Sequence, residues 1–426
     1  MFQRLAFAIL LSFSTALQAR DLGLAEAERL LLQRNRDLIA ARRALEAAGA
    51  QREIAAARPN ATLSLNASSV GRSVGPGPLD QKRIDTVLRV DQPFERGGKR
   101  ELRMDAAEGL ERAARDDTLD ALRTQLQQLR AAYYDLKQAE GKVEILDGTA
   151  ALFGRTLAAA EARRRAGDLA AADVARVQVD QERAQNEARA AQAELAHARL
   201  ALGFMIGEES GATALRASDP WPALSRPEAD AVEREVARYV EARPDVAAAR
   251  ARLAAAEKLR DLAKSQRTRD ITVGAQYERY PGTVPADSIG VGIALPLFTG
   301  YDYSGDIRRA EVDRYAALDA LDRARAAAGA DIRRAASDLA AAAARLGRYE
   351  PSLLGAAQRS ADAAEFAFER GASSVLDVLD ARRTLGAVRL EALAARADYA
   401  RALAAWEASR AAGDALQARE GQGGSR

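Results

Sequence analysis

The chain has no cysteine and one histidine, His197. Disulfides, thiolate chemistry and the common nitrogen–sulfur sites for transition metals are therefore excluded within a single copy. Aromatic residues make up 5% of the 426 positions, too little material for the cores of two or three ordinary globular domains. The 63 basic and 61 acidic residues nearly cancel, which leaves no bulk field to attract nucleic acid. Past residue 19, no apolar run reaches the roughly 20 residues that a spanning helix needs, so any membrane passage by the mature chain must use strands. Gly97-Gly98-Lys99-Arg100 lacks the upstream Gly and the following Ser or Thr of a phosphate loop. It reads as a strand-to-helix corner. No catalytic constellation or cofactor motif is present, so the expectation is a protein that is neither an enzyme nor a cofactor carrier.

Export is written at the N-terminus. Residues 1–19 combine Arg4, an apolar run from Leu5 to Leu17 and Ala19 at a cleavable junction, the pattern of a signal peptide. No Cys follows the cut, so lipid attachment there is excluded.

The chain then repeats itself. Asp37-Leu-Ile-Ala-Ala-Arg-Arg-Ala-Leu45 returns as Asp245-Val-Ala-Ala-Ala-Arg-Ala-Arg-Leu253, Pro93 and Gly97 return as Pro296 and Gly300, and Gly167 with Asp173 returns as Gly371 with Asp377. The offsets of 208, 203 and 204 fall in one order, which implies tandem duplication of a half-protein, residues 20–227 and 228–412. Residues 413–426 read as a disordered tail.

Each copy carries two segments of period-two alternation, about 61–70 and 83–93 in the first, 270–280 and 288–298 in the second. Ile84, Leu88 and Val90, then Ile271 and Val273, then Ile289, Val291, Ile293 and Leu295 alternate with polar or tiny residues. Such alternation fits lipid-facing barrel strands. It fits equally a soluble hairpin with one wet face.

The helices favour the first reading. Leu119, Leu122, Leu126, Leu129, Tyr133 and Leu136 step by three and four within a proline-free helix over 99–165, a coiled-coil seam. A matching helix spans about 301–369, with Pro351 expected to kink or unwind it. Shorter helices flank each long one, 22–58 and 168–204, then 228–267 and 372–411. The segment 205–227 reads as an equatorial insertion outside the tunnel wall. Four strands cannot close in lipid, so several chains must pool them, and three copies would give twelve.

Helix, strand pair ending Pro93-Phe94-Glu95-Arg96-Gly97, long helix, Gly-centred turn and helix, all given twice, resembles the TolC family of outer-membrane efflux ducts along the whole mature chain. Arg165-Ala-Gly167-Asp-Leu169 and Phe368-Glu-Arg-Gly371-Ala-Ser373 are similar to the family's two periplasmic tips. Gln92 through Arg100 is similar to the junction in the cobalt-zinc-cadmium efflux branch, the CzcC-like proteins. The resemblance implies a mainly α homotrimer. A 12-stranded β-barrel would sit in outer-membrane lipid of a Gram-negative bacterium, continued by a coiled-coil tunnel in the periplasm. It also implies partnership with a periplasmic membrane-fusion adaptor and an inner-membrane RND-type pump, and no cofactor. Divalent metal cations are the first expectation for cargo, with drugs or secreted polypeptides as the alternative.

By the same resemblance, Asp377 and Asp380 would form acidic rings at the tip, with Asp173 helping to latch it. Gly167, Leu169, Gly371 and Ser373 would meet the adaptor. Asp377 and Asp380 also suit simple helix-start chemistry. Phe368 and Ser373 stand where the family's archetype has a phenol and a basic residue, so the restraints on any gate differ here. The rival of another class is a soluble periplasmic coiled-coil scaffold.

Overall fold

The computed structural model of the chain describes residues 20–68, 84–225, 229–281, 286–370 and 372–424. The signal segment 1–19 and the tip glycine Gly371 lie outside these residues. In the first half the elements are β1 (Arg20–Leu22), α1 (Leu24–Arg34), α2 (Arg36–Ala56), β2 (Thr62–Ser68), β3 (Asp85–Phe94), α3 (Lys99–Ala166), α4 (Ala171–Met205) and β4 (Leu215–Ala217). The second half gives α5 (Ala229–Ala242), α6 (Pro244–Ser265), β5 (Ile271–Tyr280), β6 (Ala286–Ala294), α7 (Ser304–Arg348), α8 (Leu354–Glu369), α9 (Val375–Ser409) and α10 (Gly413–Gly424). Helix pair, strand pair and long helices recur in the same order.

Two compact units are built from interleaved stretches of chain, one from Ala40–Ala121 with Ala237–Ala330 and the other from the remainder. The first holds an antiparallel sheet of order β2-β3-β5-β6. β3 leaves the sheet through Gly97 and Gly98, both at positive φ, 74° and 70°. A Cβ on Gly97 would sit 2.8 Å from the Thr268 Cβ, so both conformation and close approach require glycine there. The buried Lys99 ammonium lies 2.8 Å from Asp270, which also accepts from the Arg96 amide at 2.9 Å. That ties the corner to the start of β5.

In the second unit the α3 seam forms the core. Leu122, Leu126, Leu129, Tyr133 and Leu136 are all buried, and further along Leu146 packs with Ala188 and Ala191 of α4. The segment after α4, a 3₁₀ turn (Glu209–Ala214) and β4, pairs in parallel with β1, Leu22 opposite Ala217. Two tyrosines tether it. The Tyr133 hydroxyl donates to the Leu22 carbonyl at 3.0 Å and accepts from the Asp219 amide at 2.9 Å. The Tyr399 hydroxyl accepts from the Ser225 amide at 2.7 Å and donates to the Ala223 carbonyl at 2.8 Å.

Four expectations are refined or corrected. The helix expected over 22–58 breaks at Asn35, whose Oδ1 accepts from the Asp37 and Leu38 amides, both at 3.1 Å, and so starts α2. The one expected over 228–267 breaks at Arg243, 208 residues on, with Pro244 in the first turn of α6. The long second helix is interrupted by a π turn, Tyr349–Leu353, around Pro351, which has no N–H to donate. The tail from 413, expected to be disordered, instead forms α10. Its Leu416 is buried, and Arg419 lies 3.9 Å from Glu28 of α1.

Replacing Tyr133 with Phe removes partners from two groups at the β1 tether, a cost of about 1–3 kcal/mol. Its thermal midpoint, followed by circular dichroism, is expected to fall by several degrees; an unchanged midpoint would mean the tether carries no stability.

Candidate functional site

Antiparallel register puts directly opposed residues on one face of the sheet. Leu63, Val90, Ala275 and Val291 form one row across the four strands, and Leu65, Leu88, Tyr277 and Ile289 form the next. Val273 opposes Ile293, and Phe94 opposes Ile271. Among the described residues, no charged side chain occurs on this face from the Phe94–Ile271 row until the Arg279–Asp287 pair. That is eight residues along β5, about 27 Å of strand, close to the height of an apolar membrane band. Ile289, Val291 and Ile293 are 84%, 86% and 70% exposed. Leu88, Val90 and Val273 are exposed on the same face, Ile271 is half-buried, Leu295 continues the face just past β6, and Ile84 is half-buried just before β3. All nine residues expected to face lipid therefore lie on or next to one apolar surface. Leu63, Leu65 and Tyr277 belong to it as well; β2 and β5 alternate as clearly as β6, so that signal was in the sequence.

The opposite face is polar. Arg89 and Asp91 of β3 pair at 2.7 Å, Arg89 reaches Gln276 of β5 at 2.9 Å, and Glu278 accepts from the Tyr280 and Ser288 hydroxyls at 2.8 and 3.2 Å. Among the described residues, β2 and β6 each have a strand neighbour on one side alone.

The tip lies in the other unit. α3 ends in a reversal in which the Asp168 amide donates to the Arg163 carbonyl at 3.0 Å and the Gly167 amide to Arg164 at 3.1 Å, with Gly167 at φ 88°. This is a Schellman closure, and the positive φ demands glycine. Leu169, expected at the docking surface, is half-buried against a core of Phe153, Ala160, Val174, Val177 and Leu379. Part of its side chain thus holds the hairpin together.

The second tip starts α9 with a capping box. The Asp377 amide donates to the Ser374 hydroxyl oxygen at 3.3 Å, and Asp377 Oδ2 accepts from the Ser374 amide and hydroxyl at 2.9 and 2.8 Å. The Ser374 amide, and then its hydroxyl, hold the Asp377 carboxyl below the usual carboxylate range. Its folded pKa is therefore depressed, so this stabilisation is present above the unfolded value of about 3.9 and is lost as pH falls through the folded value. Asp380, one turn on, is exposed and unpaired among the described residues. Asp173, in the first turn of α4, lies 3.7 Å from Arg176. Ser373 donates to the Ala364 carbonyl at 3.3 Å.

Among the described residues, contacts between the two tip hairpins use neither a phenol nor a lysine. Arg163 lies over the Phe368 ring at 4.5 Å, Arg383 pairs with Asp180, and Leu379 is buried in the α3–α4 core. The Arg163–Phe368 contact was not legible from the sequence, because the two residues meet only when the hairpins pack.

Comparison with known proteins fits this geometry. The family described as "Outer membrane efflux protein" matches residues 29–208 and again 237–409, the duplication seen in the elements. The chain is 30% identical over 318 residues to the cobalt-zinc-cadmium resistance protein CzcC of Cupriavidus metallidurans, covering 72% of each chain. Among solved structures, it resembles a membrane protein from Pseudomonas aeruginosa with a TM-score of 0.76 at 18% identity, covering 91% of this chain and 93% of that one. It resembles the outer membrane protein VceC from Vibrio cholerae with a TM-score of 0.73 at 21% identity, over 91% and 96% of the two chains. An apolar strand face, a polar one behind it, coiled-coil helices and a twofold match of one family identify the chain as a member of the outer membrane efflux proteins, the TolC-like channels, which are not enzymes.

Proposed function

We propose that three copies of the chain pool their strands into a twelve-stranded barrel in the outer membrane and serve as the passive exit duct of a tripartite efflux system. The observation that carries this is the pairing of an uncharged, exposed strand face with open edges at β2 and β6. In lipid each unpaired edge group costs several kcal/mol or more, and joining β6 of one copy to β2 of the next satisfies both edges. A soluble scaffold is disfavoured by the same face, since Ile289, Val291 and Ile293 presented together to water would promote aggregation. The helical part would extend into the periplasm and meet an adaptor and an RND-type pump through the Gly167 and Gly371 tips, with the exposed part of Leu169 and Ser373 beside them.

Divalent heavy-metal cations are the proposed cargo, supported by the relationship to CzcC, whose name ascribes cobalt, zinc and cadmium resistance to it. At the tip, Asp380 supplies the free carboxylates of a ring and Asp173 lies near it in the proposed assembly. Asp377 is engaged in starting α9 through Oδ2 and contributes its second oxygen to the same field. Three like charges at one level attract cations.

Because the chain has no native cysteine, single-Cys variants report each face separately. Val291→Cys in outer-membrane vesicles is expected to resist charged thiol reagents and to react with a lipid-soluble maleimide, whereas Ser288→Cys reacts with the charged reagents. Reaction of both with charged reagents, or recovery of the protein as a soluble monomer, would sink the duct. With its adaptor and pump, the chain should restore zinc, cobalt and cadmium tolerance to a sensitive strain lacking its own duct; restored tolerance to drugs alone would assign the other cargo.

Cap and ring are separable. Ser374→Ala is expected to speed amide exchange at 375–379 about fivefold, the equivalent of one lost cap, with little change in ion selectivity. Asp380→Asn should lower cation selectivity in planar bilayers and leave exchange unchanged. Unaltered selectivity in Asp380→Asn would remove the ring.

A further inference from the structure

We propose that Arg89 lies flat on the lumen wall as a neutralised brace, so that the remaining acids of that face, Glu278 with Asp85, give the barrel a negative lining that favours hydrated cations over anions. This rests on the reading of the polar sheet face as the lumen, and it concerns selectivity within the barrel, far along the sequence from the tip aspartates.

The charged residues of that face on the described strands are Asp85, Arg89 and Asp91 of β3 and Glu278 of β5. Arg89 is the one base among them. Its Nε lies 2.9 and 2.7 Å from the two carboxylate oxygens of Asp91, two residues along the same strand, and its Nη1 donates to Gln276 Oε1 at 2.9 Å on the neighbouring strand. The guanidinium is thus held along β3 and across to β5.

Glycine makes room for this pose. A Cβ on Gly274, the residue opposite Asp91, would sit 2.4 Å from Asp91 Oδ1 and 2.8 Å from Arg89 Nη2. On β6, Gly292 faces Gly274, and a Cβ there would lie 3.9 Å from the same Nη2. Glycine weakens a strand and marks places where another group approaches the backbone closely. Here the group is the Arg89 side chain, which a bulkier residue at 274 would drive off the wall and into the path.

Laid down and paired, Arg89 contributes little to the axial field. Glu278 differs, because its partners, the Gln276 amide and the Tyr280 and Ser288 hydroxyls, are neutral donors that fix the carboxylate without cancelling its charge. Three copies would bring three such carboxylates to one level, and a ring of one sign in a narrow, low-dielectric wall selects the opposite sign.

The test uses Ser64→Cys, at the register partner of Arg89 on β2, as a reporter in outer-membrane vesicles of the full chain. Its modification by a cationic and by an anionic methanethiosulfonate is measured, each rate normalised to a free thiol in solution. The cationic reagent is expected to be faster by about tenfold, the low end of the range that charge-lined clefts produce. Adding Asp91→Asn, which leaves the Arg89 charge uncancelled, should lower the ratio; Glu278→Gln should lower it as well, and Arg89→Gln should raise it. A ratio unaltered by both Asp91→Asn and Glu278→Gln overturns the inference while leaving the duct intact. A reporter thiol in Ser64→Cys that is closed to both charged reagents, while the one in Val291→Cys is open to them, overturns the assignment of faces, and the inference with it.

Discussion

The hydrogen-bonding edges of a four-stranded sheet govern the rest of this molecule. Each copy contributes β2-β3-β5-β6 with every inner ladder made, yet the outer edges of β2 and β6 have no partner among the described residues. In water such edges are a hazard that proteins blunt with charge, proline or a bulge. Here the exposed face of β6 carries Ile289, Val291 and Ile293, which in the proposed duct would meet hydrocarbon. In that medium the only remedy for an open edge is another strand. Oligomerisation in the proposed duct is therefore a condition for the sheet to exist in lipid at all.

Duplication supplies the scaffold twice but solves each local problem with different chemistry. The break between paired helices falls at Asn35 in one copy and at Arg243 in the other. The first is made by a side-chain cap and the second by a proline in the first turn. Gly97 turns the first sheet-to-helix corner at positive φ, whereas the second has Tyr303 at φ 63°, its ring against Phe298 at 5.2 Å. One tip closes α3 through Gly167, and the other opens α9 through Ser374 and Asp377. The order of elements is thus more closely repeated than the residues that enforce it.

What the sequence made legible was periodicity. The seam Leu119 through Leu136 is buried as the three-four spacing requires, and the period-two segments became β2, β3, β5 and β6 with one face apolar. These patterns are local, so a linear reading recovers them. Three features escaped it for a common reason, namely that each depends on a partner more than 100 residues away. Strand β1 exists because Leu22 pairs opposite Ala217. Helix α10 has Leu416 buried and Arg419 3.9 Å from Glu28. Phe368 stacks with Arg163 only after two hairpins meet. Asp377 is a different case: the sequence offered both a capping and a pore reading of it, and the hydrogen bonds from Ser374 establish the capping.

The residue inventory also bears on how a metal cation could pass. A duct that held zinc or cobalt through thiolate and imidazole would bind it too tightly to release it, because conduction needs sites that are favourable to enter and weak enough to leave. With no cysteine and one histidine, this chain has almost none of the ligands that would trap such ions. Beside the free Asp380 it offers carboxylates already occupied by structural hydrogen bonds, Glu278 with its neutral donors and Asp377 with Ser374. An oxygen engaged in that way keeps its charge but gives up part of its capacity to coordinate. The field of the carboxylate remains while its affinity as a ligand falls, and that combination suits an ion which crosses with its hydration shell in place.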